Sequence, residues 1–263
     1  EKNRMRDIIC ATVTTVIIVI ILAVFAVIFV VPFVKGWPYD MNFTLDNVKK
    51  VLEDASLTMV YKNSLLVALL TAVFGTIMAY GAAIVTARSS ISEKAKRVIE
   101  SIASVTNTIP GMVLGIAFML AFTGTSLQNT FAIIIMCNLV HFFATPYMMM
   151  KNSLSKMNLS WEKTAKLMGD NWIKTMVRIV TPNALPSLIE VFSYYFINAM
   201  VTVSAVIFLA GARTMVITTK IKELQHFAKF NEIFVLSLLI LFTNLIAKLM
   251  FQFLANKLSD SKK

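Results

Sequence analysis

Trp161-Glu-Lys-Thr-Ala-Lys-Leu-Met-Gly169, followed by Ile179 and Pro182, is a polar and basic stretch inside an otherwise very apolar chain. Ser160 predicts the cap of a helix that starts at Trp161, and Gly169 predicts the left-handed residue that ends it. Asp170 predicts the cap of a second helix, which Pro182 would end. The stretch therefore predicts two short helices joined at a glycine elbow.

The chain as a whole is too apolar for a soluble domain. Of its 263 residues, 57% are hydrophobic and 15% are charged, and its mean hydropathy is +0.74. A helix of about 20 residues crosses a hydrocarbon core of ~30 Å, and the apolar runs that reach this length must be helical because lipid offers the backbone no partners. The six predicted spans are Ile8–Val34, Ser64–Ala87, Ile102–Phe122, Thr130–Met150, Leu185–Ala210 and Ile233–Leu254. The sequence predicts an all-α, polytopic membrane protein with one transmembrane domain over residues 1–263.

The positive charges predict the orientation of these spans. Of the 25 Lys and Arg residues, sixteen lie in the two tails and in loops 88–101 and 151–184, and eight lie in loops 35–62 and 211–232. Cytoplasmic loops carry the excess of Lys and Arg, so both termini and loop 151–184 are expected in the cytoplasm. The net charge of +11 is spread over short loops and does not indicate a nucleic-acid partner.

Two local patterns predict packing. Thr44 can cap a short amphipathic helix that runs to about Asp54 at the outer interface, although a solvated turn is the alternative. Gly111 and Gly115 form a pair of small residues, four apart, that lets another helix approach closely.

Neither a metal site nor a catalytic centre is expected. Cys10 and Cys137 lie in separate apolar runs, so they indicate neither a disulfide framework nor a metal cluster. The chain has no Gly-x-x-x-x-Gly-Lys-Ser/Thr phosphate loop, so it is not expected to be an ATPase or to hold a cofactor itself. His141 has no paired Asp or second His in the apolar runs, which argues against an intramembrane enzyme.

Polar side chains inside the apolar runs are candidates for a translocation path. Asn138 and His141 are three residues apart in one span, and Asn198 and Thr202 are four apart in another, so each pair shares a helix face. Ser204 lies close to the second pair. Together they would offer donors and acceptors to a small polar solute. Hydrogen bonds between helices, worth about 0.6 kcal/mol on average, are the alternative explanation.

The elbow resembles the hallmark loop of the integral-membrane permease subunits of binding-protein-dependent ABC importers. That loop reads Glu-Ala-Ala, three residues, Gly, nine residues, Ile, one residue, Leu-Pro. The matching positions here are Ala165, Gly169, Ile179 and Pro182. Lys163 stands where the family has Glu, although Glu162 is adjacent, and Thr164 and Thr181 replace an Ala and the Leu. Further matches are Phe43-Thr-Leu-Asp-Asn-Val48, Asn63-Ser-Leu65 and Ile109-Pro-Gly-Met-Val-Leu-Gly115.

The resemblance implies the MetI-like permease fold and its mechanism. Two permease units would form the pathway, as a homodimer, a heterodimer or two halves of one chain. A dimer of cytoplasmic ABC ATPases would bind ATP and Mg²⁺ and drive the helices through the elbow, and an extracytoplasmic substrate-binding protein would deliver the solute. The implied ATPase-coupling residues are Glu162, Lys163, Thr164, Ala165, Leu167, Met168, Gly169, Ile179 and Pro182.

The segment Asn198–Leu209 looks most like the permease group that serves ferric iron, 2-aminoethylphosphonate, thiamine and polyamines. Within that group, 2-aminoethylphosphonate or ferric iron is favoured. Because the chain starts with Glu1 rather than Met, we expect a fragment, a processed chain or one half of a longer polypeptide.

Two alternatives stay open on the residues alone. An ion-gradient-driven secondary transporter would also span the membrane, but it would be expected to carry acidic residues at mid-membrane, and no Asp or Glu lies near the middle of any predicted span. The basic and apolar elbow also fits a helix pair that lies on anionic lipid.

Overall fold

The computed structural model describes residues 4–260, and the tails at 1–3 and 261–263, predicted to be cytoplasmic, lie outside that range. The twelve α-helices of the described chain are α1 (Arg4–Val30), α2 (Asp46–Glu53), α3 (Ala55–Arg88), α4 (Glu93–Thr106), α5 (Gly111–Phe122), α6 (Phe131–His141), α7 (Ala144–Lys156), α8 (Ser160–Leu167), α9 (Trp172–Thr175), α10 (Thr181–Val201), α11 (Ile217–His226) and α12 (Phe230–Asp260). Two antiparallel strands, β1 (Val34–Gly36) and β2 (Asp40–Phe43), form a small hairpin.

Four helices are long and apolar enough to cross a membrane. They are α1 with the following turn to Phe33, α3, the continuous helix Trp172–Val201, and α12 up to Ser259. The count rises to six when the bent pairs α4–α5 and α6–α7 are each taken as one span. The all-α membrane fold is therefore confirmed, and the six predicted spans correspond to four helices and two bent pairs.

Two predicted spans are broken rather than straight. In the run Ile102–Phe122, α4 and α5 meet at an angle of 105°. Pro110 lies in this break, where its ring disfavours helical geometry in the residue before it. The run Thr130–Met150 bends by 55° between α6 and α7. A hydropathy profile cannot detect this second bend, because apolar side chains continue through it.

The fifth predicted span, Leu185–Ala210, has the wrong bounds. The helix begins well before it, at Trp172, and ends at Val201. Residues after Val201 leave the helix and form only a short 3₁₀ turn at Val206–Phe208. Apolar composition continues through this segment, because it is packed against protein and need not be helical there.

The contacts divide the chain into two compact units. The first extends to Met59 and includes Ile221–Phe242. Its helix α1 buries no side chain. The predicted amphipathic helix is present as α2, and the Thr44 hydroxyl accepts the N–H of Asp46 at 3.1 Å. The Asn47 amide joins α2 to the hairpin by donating to the Val34 carbonyl at 2.8 Å.

The second unit comprises Val60–Lys220 and the chain from Thr243 onwards. Its main core forms where α3 presents a stripe of small residues to α7 and α10. The members of this stripe are Ala68, Ala72, Gly75, Ala79 and Ala83. The buried ring of Tyr195 lies so close to Gly75 that a Cβ there would come within 2.6 Å of it. Small residues thus bring the helix backbones together, as is usual in membranes.

The glycine pair in α5 has the packing role that its spacing predicts, but its partner is not a helix. A Cβ on Gly111 would lie 2.4 Å from the Ser204 Oγ, and a Cβ on Gly115 would lie 2.3 Å from the Ala205 carbonyl oxygen. Ser204 and Ala205 belong to the irregular segment after α10. The two glycines therefore admit a non-helical segment against α5.

We expect Gly115→Ala to destabilise the protein, because its methyl group would meet backbone that cannot rotate away. Overpacking of this kind costs about 1–3 kcal/mol. The matched control is Gly81→Ala in α3, where a Cβ meets nothing within 4 Å and alanine favours the helix. Thermal unfolding in detergent should show a lower midpoint for Gly115→Ala only. Equal midpoints for the two variants would contradict the close approach.

Candidate functional site

The first arm of the elbow is α8, and it ends as the sequence predicts. Gly169 has φ +80°, a left-handed conformation that glycine adopts without strain. The Asp170 N–H then reaches back to the Ala165 carbonyl at 2.9 Å and closes the helix end. The predicted start is wrong by one residue. Ser160 lies inside the first turn of α8, and the Asn158 side chain accepts its N–H at 2.9 Å.

The second arm begins with a different cap from the one predicted. Asn171, not Asp170, is the residue whose side chain accepts the N–H of Ile173, at 3.3 Å. Asp170 instead forms an ion pair with Lys174 one turn along. Asn and Asp are about equally good caps, so the sequence alone does not distinguish two such neighbours.

The second arm does not end at Pro182, contrary to the prediction. The helix runs unbroken from Trp172 to Val201. A π-helical turn over Met176–Val180 makes this possible, with the Thr181 N–H bonding the Met176 carbonyl five residues back. A proline ring normally clashes with the carbonyl four residues before it, and the wider turn opens the backbone at that point.

The elbow exposes apolar side chains at its tip. Leu167 is 89% and Met168 is 78% exposed, and Ile173 and Val177 of the second arm are also exposed. The opposite side of the second arm is buried in the core through Met176 and Val180. The apolar residues of this arm therefore lie on two faces, one packed inside and one open.

The nine predicted coupling residues are distributed over both environments. Lys163, Thr164, Leu167, Met168 and Gly169 are exposed; Glu162, Ile179 and Pro182 are half-buried; and Ala165 is buried. Ala165 is the point at which α8 packs against the rest of the chain.

A residue that the sequence analysis missed holds both arms of the elbow. Arg88, the last residue of α3, donates from Nη1 to the Glu162 Oε1 at 2.9 Å, and its side chain is fully buried. The Arg88 carbonyl also accepts the indole N–H of Trp172 at 3.3 Å. A cleft of about 600 Å³ opens beside the pair, with Ser89 and Lys166 in its wall. An arginine that ends a long apolar helix was the available signal, but its partner lies 74 residues away.

The candidate path residues only partly come together. Gly111 brings His141 and Ser204 near each other, because a Cβ on it would meet the Ser204 Oγ at 2.4 Å and the imidazole of His141 at 3.1 Å. Asn138 lies one turn before His141 and is fully buried. Neither its amide atoms nor the His141 Nδ1 has a hydrogen-bond partner among residues 4–260. Three helix interruptions, before Gly111, after His141 and at Ser204, meet at this point.

Asn198 and Thr202 both form hydrogen bonds within the chain, and their place in the translocation path stays a prediction. The Asn198 amide donates to the Tyr194 carbonyl of its own helix at 2.8 Å. Thr202 is buried at the end of α10, and its carbonyl accepts the hydroxyl of Thr218 at 2.7 Å. Both residues therefore stabilise the end of α10.

Comparison with known proteins gives a consistent picture. A family model described as "Binding-protein-dependent transport system inner membrane component" matches residues 72–260. The ferric transport system permease protein FbpB of Actinobacillus pleuropneumoniae is 28% identical over 205 residues, which is 74% of this chain and 29% of that protein. The chain thus spans about three tenths of the length of the curated relatives it matches.

Solved structures share the fold at low sequence identity. A chain of a bacterial alginate ABC transporter, in complex with an alginate pentasaccharide-bound periplasmic protein, aligns with a TM-score of 0.73 and 15% identity over 97% of this chain and 95% of that chain. A chain of the methionine ABC transporter MetNI in an inward-facing conformation aligns with a TM-score of 0.62 and 15% identity over 80% of this chain and 97% of that chain.

We expect Asn171→Ala to loosen the start of the second arm, since loss of an Asn cap costs about 1 kcal/mol. Hydrogen exchange at Ile173 and Lys174 should become faster by about fivefold, in line with that free energy. Asp170→Ala is the matched control, because it removes only a partly exposed ion pair of little worth, and it would remove the cap if Asp170 supplied it. Faster exchange in the control, with none in Asn171→Ala, would assign the cap to Asp170 instead.

Proposed function

Because the chain belongs to the family of binding-protein-dependent transport system inner membrane components, the permeases of ABC importers, we propose that it carries ferric iron across the inner membrane and is driven by partner ATPases through the elbow. A permease is a translocation subunit and not an enzyme. One observation carries the proposal. An exposed apolar tip, at Leu167 and Met168, is joined to the unbroken helix Trp172–Val201, which is long enough to span a membrane.

The elbow suits a mechanical contact with a soluble partner. Its two exposed apolar side chains have the size of anchor residues, and Lys163 and Lys166 beside them supply positive charge. A groove on the ATPase that accepts Leu167 and Met168 would pull on α8 when ATP closes the ATPase dimer. That movement would pass into the membrane through the continuous second arm. The elbow and both termini would then face the cytoplasm, as the distribution of Lys and Arg favours.

The remaining partners follow from the family. A second permease unit, on another copy, another chain or a fused half, would complete the pathway, and an extracytoplasmic binding protein would deliver the solute. The similar alginate transporter was solved with its periplasmic protein, which supports a partner of this kind. ATP and Mg²⁺ would bind the ATPases, so this chain would need no cofactor of its own, and lipid would cover its outer helices.

The choice of solute rests on the curated relatives. The similar proteins of Actinobacillus pleuropneumoniae and Haemophilus influenzae are named as ferric transport permeases, which supports iron over 2-aminoethylphosphonate. We propose that Asn138, His141 and Ser204 line the path where the interrupted helices meet. Irregular backbone at membrane depth is tolerated where it is buried or lines a cavity, and the buried polar atoms of Asn138 and His141 there have no partner, so a solute that reached them would supply one.

Replacement of Gly169 tests the elbow. Gly169→Val should insert normally but transport less, since a β-branched residue at φ +80° costs about 1–3 kcal/mol and would shift the tip. Gly169→Asn is the control, because Asn tolerates the left-handed region. We expect ferric iron uptake per ATP hydrolysed, measured in proteoliposomes with the ATPase and binding protein, to fall by about tenfold in Gly169→Val alone. Normal uptake in that variant would contradict coupling through the elbow.

Replacement of Asn138 and His141 tests the path. The double variant Asn138→Ala, His141→Ala should lower uptake per folded molecule, whereas its midpoint of thermal unfolding should change less. The reason is that both side chains leave polar atoms unpaired in the resting chain. The matched control is Asn198→Ala, whose amide bonds its own helix. The assay compares ferric iron with 2-aminoethylphosphonate. Unchanged uptake per folded molecule would remove these residues from the path, and uptake of the phosphonate alone would overturn the iron assignment.

A further inference from the structure

We propose that the Arg88–Glu162 ion pair transmits the movement of the elbow to α3 as well as to α10. In this proposal α8, the start of α9 and the end of α3 move together as one rigid body. This inference rests on the proposed function, in which the elbow receives the movement of the ATPases. It assigns Arg88 and Glu162 as positioning residues for transport, a role outside the resemblance of the loop.

The first argument is the burial of the pair. The Arg88 side chain is 0% exposed and the Glu162 side chain is 18% exposed, with 2.9 Å between Nη1 and Oε1. A buried charge that loses its partner is strongly destabilised, whereas an exposed pair is worth little. The pair is therefore expected to stay closed while the elbow moves.

The second argument is that neither member of the pair has another hydrogen-bond partner for its buried side-chain atoms. The Nε and Nη2 of Arg88 and the Oε2 of Glu162 are buried and have no hydrogen-bond partner within the described part of the chain. Glu162 is the acidic residue that compensates the guanidinium in residues 4–260. A sliding movement of α8 along α3 would leave this charge without compensation, because Asp170, the other carboxylate in the wall of the same cleft, is already paired with Lys174.

The third argument is that Arg88 holds both sides of the glycine. Its side chain binds Glu162 in α8, before Gly169, and its carbonyl binds the Trp172 indole after Gly169, at 3.3 Å. An opening of the two arms about the glycine between them would break one of these two bonds. Gly169 therefore sets the angle of the elbow and does not act as a hinge.

The fourth argument is that α3 is joined to α10 above the elbow as well. The Thr181 hydroxyl donates its hydrogen to the Met176 carbonyl at 2.8 Å, so in the 2.6 Å contact with Tyr80 it is the tyrosine that donates. Both hydroxyls are half-buried at a boundary that the π-helical turn creates. The cytoplasmic half of α3 is thus tied to the second arm at two levels.

The test compares uptake per ATP hydrolysed in reconstituted complexes of the full chain with its ATPase and binding protein. Glu162→Gln removes the charge but keeps the shape, and Glu93→Gln is the matched control because it breaks only a surface pair with Lys96. We expect Glu162→Gln to lower the coupling ratio by about tenfold, as loss of a buried partner would, while ATP hydrolysis continues and the control stays at the wild-type ratio. The exchanged pair Arg88→Glu, Glu162→Arg should recover part of the ratio.

A cross-linked variant separates positioning from a purely structural role. Arg88→Cys with Glu162→Cys, in a background with Cys10→Ser and Cys137→Ala, should be uncoupled until a reducible thiol linker joins the two positions through the adjacent cleft. Recovery of uptake with the linker, and loss again on reduction, would support a rigid connection. Uptake blocked by the linker, or a normal ratio in Glu162→Gln, would overturn the proposal. If Glu162→Gln fails to insert, Glu162→Asp, which keeps the charge on a shorter side chain, must lower the ratio instead.

These outcomes differ from a failure of the proposed function. If the wild-type complex shows no ATP-driven uptake, or if the ATPase never contacts Leu167 or Met168, the elbow is not the coupling element. If the wild-type complex couples normally and Glu162→Gln does too, the elbow acts but does not move α3.

Discussion

The hydrocarbon core supplies no hydrogen bonds to the backbone, and the architecture of this chain depends on how that constraint is met where its helices are interrupted. The chain leaves the helix before Gly111, after His141 and after Val201. Protein covers the breaks after His141 and after Val201, whereas most residues of the break before Gly111 are exposed. The glycines at 111 and 115 let the segment around Ser204 come within contact of α5. Without a side chain at these two positions, irregular backbone can be buried in protein instead of facing lipid.

Much of this fold could be predicted from apolar runs and from glycine chemistry. Length and composition identify the spans, and the Gly169 helix end was predictable because glycine alone adopts that backbone conformation freely. The bend between α6 and α7 is not visible in the apolar run, although Pro146 is a signal for it, because proline lacks the N–H that would bond the Phe142 carbonyl and its ring clashes with that carbonyl. The end of α10 at Val201 is not visible in the apolar run either, since apolar residues continue beyond it.

Long-range partners account for what sequence reasoning missed in the site. In the sequence alone, Arg88 is an ordinary basic residue at a helix end, where it also complements the helix dipole. Only the folded chain brings Glu162 and the Trp172 indole to it. The path residues illustrate the same limit. Spacing correctly placed Asn138 and His141 on one helix, but whether Asn198 faces a solute or its own backbone was decided by the conformation of its side chain.

The π-helical turn at Met176–Val180 has a consequence for the register of the chain. It is one residue longer than the α-helical turn it replaces, so the second arm leaves the membrane rotated by about 100° relative to an uninterrupted α-helix. That extra residue directs the Trp172 indole towards the end of α3. A chain shorter by one residue here would keep its composition, its spans and its glycine, yet it would present the elbow to the wrong side.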